Sequence, residues 1–256
     1  MNVAASSMSW IQSSMKQLLE FAFPPQCAVC GTTEFPAEPQ STVYCEVCMK
    51  DLCPAEVYRC VCCGAEIGLY AKSDKGCTHC RNRKLKFESV VCLGMYEGML
   101  RQAILAAKWS YSPVRMRALA MLLSRHQATR LKELQIDRVI PVPQHWRQRL
   151  VRHFNPAWII GTEIAGSLGI PCDALLLKRR RRTRPQKRVA VSQRFENQSD
   201  AFSINDAHVF RNQRLLLIDD VLTTGATCSA AAELLKKAGA ASCHVAVLGR
   251  VLDNSG

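Results

Sequence analysis

The thirteen residues from Leu215 to Thr227 read Leu-Leu-Leu-Ile-Asp-Asp-Val-Leu-Thr-Thr-Gly-Ala-Thr, and they hold the most specific chemistry in the chain. Four branched apolar residues suit a buried strand. Asp219 and Asp220 then emerge at its carboxyl end, where α/β folds place their ligands. A loop of small hydroxyl residues and glycine follows, and a helix begins. Such a loop turns backbone N–H groups and hydroxyls toward one point at the positive end of a helix, which fits a phosphate. The two carboxylates cannot hold that phosphate. They can accept hydrogen bonds from sugar hydroxyls or help hold Mg²⁺. A phosphate beside a diol describes a ribose 5-phosphate. The plainer reading is a capped helix after a strand, with both acids merely solvated.

A second constellation lies upstream. Of the fourteen cysteines, ten fall between Cys27 and Cys80. Eight of them form Cys-x-x-Cys pairs: Cys27 with Cys30, Cys45 with Cys48, Cys60 with Cys63, and Cys77 with Cys80. Two thiolates three residues apart can turn around one ion, and four complete the tetrahedral shell that suits Zn²⁺. One or two structural zinc sites are therefore expected. Sequential pairing is simplest, and a crossed pairing stays open. Gly31 and Gly64 each follow a pair, where a tight knuckle needs a permissive backbone. Cys53 and Cys62 are extra, and His79 is expected to stand outside the shell. Four thiolates leave no open coordination position, so these sites are structural and not catalytic. The segment has few large apolar residues, so metal binding and folding should be coupled.

Charge supplies the third signal. The net charge is +13, and the run Lys178 to Arg188 holds eight basic residues and no acid. Those eight are Lys178, Arg179, Arg180, Arg181, Arg182, Arg184, Lys187 and Arg188. Packed cations repel unless a partner screens them, so a polyanion or a phosphorylated small molecule is the natural partner. A solvated surface loop is the alternative.

These residues must be positioned by an α/β framework. Strands are expected at 89–93, 138–142, 214–218 and 245–248. Helices are expected at 99–109, 114–131 and 156–168, and from the phosphate loop to about Lys237, where Gly239 stops the last one. Alternating strands and helices imply a mostly parallel sheet with helices on both faces. Three regions result: residues 1–23 as an amphipathic helix with Trp10, Ile11, Met15, Leu18 and Leu19 on one face, residues 24–84 as a double Cys-x-x-Cys zinc-ribbon module, and residues 85–256 as the α/β domain. No apolar run is long enough to span a membrane, so any membrane association would be peripheral. The first twenty residues lack a secretion pattern, so a cytoplasmic place is expected.

The Asp219 to Thr227 run resembles the phosphoribosyl diphosphate (PRPP) motif of type I phosphoribosyltransferases. The chain from about residue 24 to 250 resembles the ComF family of competence proteins. That resemblance also rests on Lys108 after a helix, on Pro141-Val142-Pro143 leading to Arg147, Arg149 and Arg152, and on Arg-His-Phe-Asn-Pro at 152–156. Thr183, Gln186, Arg194, Asn197 and Phe202 fall in the family's order as well. His153 and Pro156 depart from the glycine and glutamine usual there. The resemblance implies that Asp219 and Asp220 contact the ribose and that Thr223, Thr224, Gly225, Ala226 and Thr227 cradle the 5-phosphate. Mg²⁺ would accompany the diphosphate.

Two functions follow from it. One is handling of internalised single-stranded DNA in natural transformation, alongside DNA-uptake or helicase-type competence proteins. In this reading the basic run would hold the phosphate backbone without reading bases. Trp146 is a candidate for stacking on bases, and Trp158 is expected to pack inside. The other is an active phosphoribosyltransferase with an unknown nitrogen acceptor. Arg147, Arg149 and Arg152 would then stabilise the leaving diphosphate.

Overall fold

The computed structural model describes residues 26–33, 44–53, 57–68, 76–109, 112–144, 154–179, 201–205 and 210–252. The amphipathic helix expected at 1–23, Trp146 and most of the basic run lie outside them. The chain forms two compact units, Met1–Lys50 and Asp51–Gly256.

In the first unit the segment Cys27–Cys30 forms a turn that Gly31 closes with φ +75°. Its amide donates to the carbonyl of Cys27 at 2.9 Å. Cys45 and Cys48 stand at the start of helix α1 (Glu46–Leu52).

The second unit is built on a parallel sheet. Its strands are β1 (Ser89–Met95), β2 (Arg138–Pro141), β5 (Arg214–Ile218), β6 (Val221–Leu222) and β7 (Ser242–Arg250), ordered β1-β7-β5-β2 with β6 alongside β7. Helices α2 (Gly98–Trp109), α3 (Pro113–His126) and α4 (Ala128–Glu133) follow β1, and α5 (Pro156–Leu168) follows β2. Helix α6 (Ala226–Lys237) lies between β6 and β7. A separate antiparallel ribbon pairs β3 (Leu177–Arg179) with β4 (Phe202–Ile204).

The buried strands read as apolar runs because both faces of the sheet are covered. Ile140, Val142, Leu215, Leu217, Val245 and Val247 share one core with Cys228, Ala231 and Leu235 of α6. Alternate residues face the other way. A Cβ on Gly161 of α5 would lie 3.4 Å from Val139 and 3.1 Å from Pro141, so that glycine lets α5 approach β2 on the opposite face. The helices after β2 and β5 therefore lie on opposite sides of two neighbouring strands. A crevice opens at such a switch point, outside the carboxyl ends of the strands.

The expected elements are present with shifted ends. The helix expected at 114–131 is two helices, α3 and α4, broken at Gln127 (φ −107°, ψ 19°). Ser112 caps α3 and accepts the amide of Arg115 at 3.3 Å. Strand β7 is longer than expected, because β1 and β5 pair with it from either side. The β3–β4 ribbon was not expected. Gly239 ends α6 with φ +101°, as expected.

Trp158 is 40% exposed, contrary to the expected packing. The buried stripe of α5 runs through Ala157, Ile160, Gly161, Ile164 and Ala165, and residue 158 falls beside it.

Candidate functional site

The cleft at the switch point is lined by Lys108 at the end of α2, Val142, Pro143 and Gln144 after β2, and Asn155 and Ala157 at the start of α5. Arg179 at the end of β3, Asp219, Asp220 and Val221 after β5, and Thr227 in the first turn of α6 complete it.

The two acids stand where the ladder between β5 and β7 breaks. The amide of Asp219 still donates to Ala246 at 3.2 Å. The carbonyl of Asp220 accepts from Leu248 at 3.1 Å and from Gly249 at 3.3 Å. This holds the pair at the carboxyl end of β5. Asp220 Oδ2 lies 2.7 Å from Lys108 Nζ, with only 11% of the lysine side chain exposed. Asp219 Oδ1 accepts the amide of Asp220 at 2.9 Å. Burial, then the charge of Asp220, pushes the Asp219 carboxyl up to about 7, against the pull of that amide, Lys108 and Arg179. Arg179 lies 5.6 Å above the ring of Phe202, so β3 and β4 supply a cation to the wall facing the acids.

The turn after the acids is shaped by Gly225, which caps α6 with φ +81°. A Cβ there would lie 3.2 Å from Leu85 and 3.4 Å from Phe87. Of the residues expected to cradle a phosphate, Thr227 lines the cleft. Thr224 is buried, and its hydroxyl accepts the amide of Ala226 at 3.3 Å. Its hydroxyl therefore shapes the turn. The amides at the start of α6 have no acceptors within the helix, and a helix end of this kind suits an anion.

Asn155 accepts the amide of Ala157 at 3.1 Å, and Pro156 opens the helix, where its missing N–H is no loss. The departure to proline at 156 thus fits the local fold. Arg147, Arg149 and Arg152 lie outside the described residues, as do Arg180, Arg181, Arg182, Arg184, Lys187 and Arg188. Lys178 is exposed. Arg179 belongs to the cleft wall.

Lys108 and Asn155 stand in the stretches that carry the family resemblance, without a role of their own, and Gln144 stands outside them. For Lys108 a signal existed, a cation in the last turn of a largely apolar helix. For Asn155 the signal was its place before a proline at a helix start. Nothing in the sequence tied either of them to Asp219 and Asp220.

The eight paired cysteines gather as two clusters, Cys27–Cys30–Cys45–Cys48 and Cys60–Cys63–Cys77–Cys80, with the four Sγ atoms of each within 4.8 Å of one another. Zn–S bonds of about 2.3 Å in a tetrahedron set sulfur–sulfur edges of about 3.8 Å. The observed edges fit: 3.6 Å for Cys30–Cys45, 3.8 Å for Cys60–Cys80, 3.6 Å for Cys63–Cys77 and 3.9 Å for Cys77–Cys80. Pairing is sequential. Cys62 and His79 stand outside both sets. Both clusters could hold a metal ion. Burial opposes a thiolate at Cys60, yet the amides of Cys63 and Cys62 together with hydrogen bonds from the thiols of Cys77 and Cys80 outweigh it and hold its pKa below the ordinary value.

Residues 157–254 match the family model described as the phosphoribosyl transferase domain. Competence protein F of Haemophilus influenzae is 30% identical over 192 residues, covering 73% of this chain and 82% of the relative. The chain belongs to the competence protein F (ComF) family. Among its further relatives is the DNA utilization protein YhgH of Escherichia coli K12, 29% identical over 222 residues, with 81% of this chain and 90% of the relative covered. A purine phosphoribosyltransferase from Pyrococcus horikoshii aligns with 53% of this chain and 73% of its own at 24% identity, with a TM-score of 0.33.

In this ComF-family chain the α/β unit is a phosphoribosyltransferase-like parallel sheet, accompanied by a pair of N-terminal four-cysteine clusters. Among the described residues no helix is long and apolar enough to cross a membrane.

Proposed function

We propose that this ComF-family protein acts in DNA uptake during natural transformation, handling internalised single-stranded DNA, and that its cleft binds the ribose 5-phosphate part of PRPP. The carrying observation is the juxtaposition at the switch point. An acid pair braced by Lys108 lies beside the amino end of α6. Hydroxyl groups of the ribose would be accepted by Asp219 and Asp220. The 5-phosphate would lie at the turn Thr223–Thr227, held by helix-start amides and the hydroxyl of Thr227. Lys108 and Arg179 set positive charge around the remaining anionic groups. Arg147, Arg149 and Arg152, in the segment between Gln144 and Asn155, would meet the diphosphate. Mg²⁺ would arrive with the diphosphate oxygens and neutralise them.

Zinc is proposed in both four-cysteine clusters, as a structural ion that closes the knuckles. The family membership supports DNA as partner. So does the run Lys178 to Arg188, whose charge exceeds what one diphosphate needs. DNA-uptake or helicase-type competence proteins are the partners that this role implies.

Calorimetry with PRPP and Mg²⁺, and a salt titration of single-stranded DNA binding, test the two halves separately. Binding of PRPP that Asp219→Asn removes, with DNA binding retained, is the expected pattern. A protein that binds no single-stranded DNA at low salt sinks the DNA role. A protein that binds no PRPP sinks the pocket assignment. Release of diphosphate from PRPP when nitrogenous bases are added would make the fold an active transferase.

A further inference from the structure

The second cysteine cluster and the phosphate turn share one buried connector, Arg250 at the end of β7. Its side chain is 2% exposed and therefore needs hydrogen-bond acceptors for its donors. Nε donates to the carbonyl of Cys63 at 2.7 Å. Nη1 donates to the carbonyl of Leu222 at 3.1 Å and also to those of Thr223 and Val251. One guanidinium thus joins the knuckle of a metal ligand to the first residue of the turn that follows the acids.

Other contacts run in parallel. The carbonyl of Val61, inside the Cys60–Cys63 knuckle, accepts the amide of Val90 on β1 at 2.9 Å. A Cβ on Gly64 would lie 2.9 Å from Val90, so only glycine lets the knuckle seat on that strand. Beyond Cys80, Leu85 packs against the cysteine cluster and also covers Gly225 of the turn. The amide of Lys86 donates to Ser229 Oγ on α6 at 3.3 Å. The cluster therefore touches the turn both through Arg250 and through Leu85.

We propose that the metal ion of the Cys60–Cys63–Cys77–Cys80 site, acting through Arg250, holds the Thr223–Gly225 turn in its anion-binding shape. Affinity for a ribose phosphate then depends on occupancy of this one site. Without the ion the two knuckles lose their closure. The carbonyl of Cys63 moves, and Arg250 loses an acceptor that only the ordered knuckle presents. Arg250 is a positioning residue in this scheme, and it does not touch the ligand. The consequence for affinity rests on the ribose-phosphate reading of the cleft, whereas the mechanical coupling does not.

The test uses the full chain with its metal and measures amide hydrogen exchange at Thr223–Thr227, with Leu215–Leu217 of β5 as the internal reference. PRPP with Mg²⁺ is titrated in parallel. Cys77→Ser removes a ligand of the coupled site, and Cys30→Ser removes one from the other site. Arg250→Lys keeps the charge and the metal but cannot span the same carbonyls. Cys77→Ser and Arg250→Lys are both expected to speed exchange in the turn at least about tenfold and to weaken PRPP binding at least about tenfold, with β5 unchanged. Cys30→Ser is expected to change neither.

Turn protection that ignores Arg250→Lys at full metal content overturns the coupling, even should Cys77→Ser unfold the chain. So does a turn loosened equally by Cys30→Ser. A wild-type protein that binds no PRPP, yet whose turn still follows Arg250 and the metal, sinks the pocket reading and leaves the coupling standing.

Discussion

Asp219 and Asp220 are adjacent carboxylates, yet their replacement by asparagine should move stability in opposite directions. Asp219 has its pKa pushed up to about 7 by burial and by the charge of Asp220. The folded chain therefore keeps a proton that the unfolded chain releases near pH 4, so wild-type stability falls as pH rises from about 4 to about 7 and then levels. The whole window amounts to about 4 kcal/mol, of which about 2–3 kcal/mol falls between pH 5 and pH 8. Asparagine has no such titration, and its Oδ1 can still accept the amide that Asp219 accepts at 2.9 Å. The stability of Asp219→Asn relative to wild type should thus grow by about 2–3 kcal/mol from pH 5 to pH 8, leaving the variant the more stable protein at pH 8. In melting temperature this is about 5–10 °C for a unit of this size.

Asp220→Asn behaves otherwise. It strands Lys108, whose Nζ lies 2.7 Å from Asp220 in a largely buried site. Asp219 then ionises more readily and offsets part of the loss, so a net destabilisation of about 1–2 kcal/mol at pH 7 is expected. Guanidinium unfolding of both variants at pH 5, 6, 7 and 8 measures the two effects. A flat difference between Asp219→Asn and wild type across that range, or a variant weaker than wild type at pH 8, would refute the argument that burial strains this carboxyl. PRPP binding should be lost in both variants, which would mark Asp219 as an acid held at the expense of stability.

Four further expectations can be checked independently. Gly225→Val places a β-branched residue at φ +81° against Leu85 at 3.2 Å, and should lose about 2–3 kcal/mol in denaturation together with PRPP binding. Gly98→Ala, at φ +49° in open space, should lose only about 1 kcal/mol and leave PRPP binding intact. Metal analysis of the purified chain should find two zinc ions per chain, and Cys27→Ser and Cys60→Ser should each leave one; a single ion in the wild type would contradict the paired clusters. Replacing Arg180, Arg181 and Arg182 with glutamine should reduce the salt dependence of single-stranded DNA binding by about 2 in log–log slope, since each charge displaces about 0.7 counterion. An unchanged slope would place the DNA elsewhere.

Much of the framework was legible in the sequence because its signals are local. Apolar runs such as Leu215–Ile218 and Val245–Leu248 mark strands buried on both faces, and Gly239 marks a helix end that needs a positive φ. The paired cysteines are legible for the same reason, since a knuckle closes within four residues. The break at Gln127 was not legible, because Val114 to Leu131 keeps an unbroken helical pattern and the break lies in the backbone angles. The β3–β4 ribbon was missed because its strands are three residues each and separated by the basic run.

By itself, then, the sequence determined the chemistry available: two acids at a strand end, a glycine-shaped turn before a helix, and eight thiols in pairs. Tertiary structure alone decided which groups meet. Lys108, more than a hundred residues before Asp220, becomes its counter-ion, and Arg179 leaves the basic run to face Asp219. The lone arginine in the apolar stretch ending β7 could have been noticed, but only the fold shows its guanidinium bridging Cys63 and Thr223. Local pattern fixes backbone shape within a few residues, whereas a buried charge takes its partner from whatever the packed chain brings within hydrogen-bond reach.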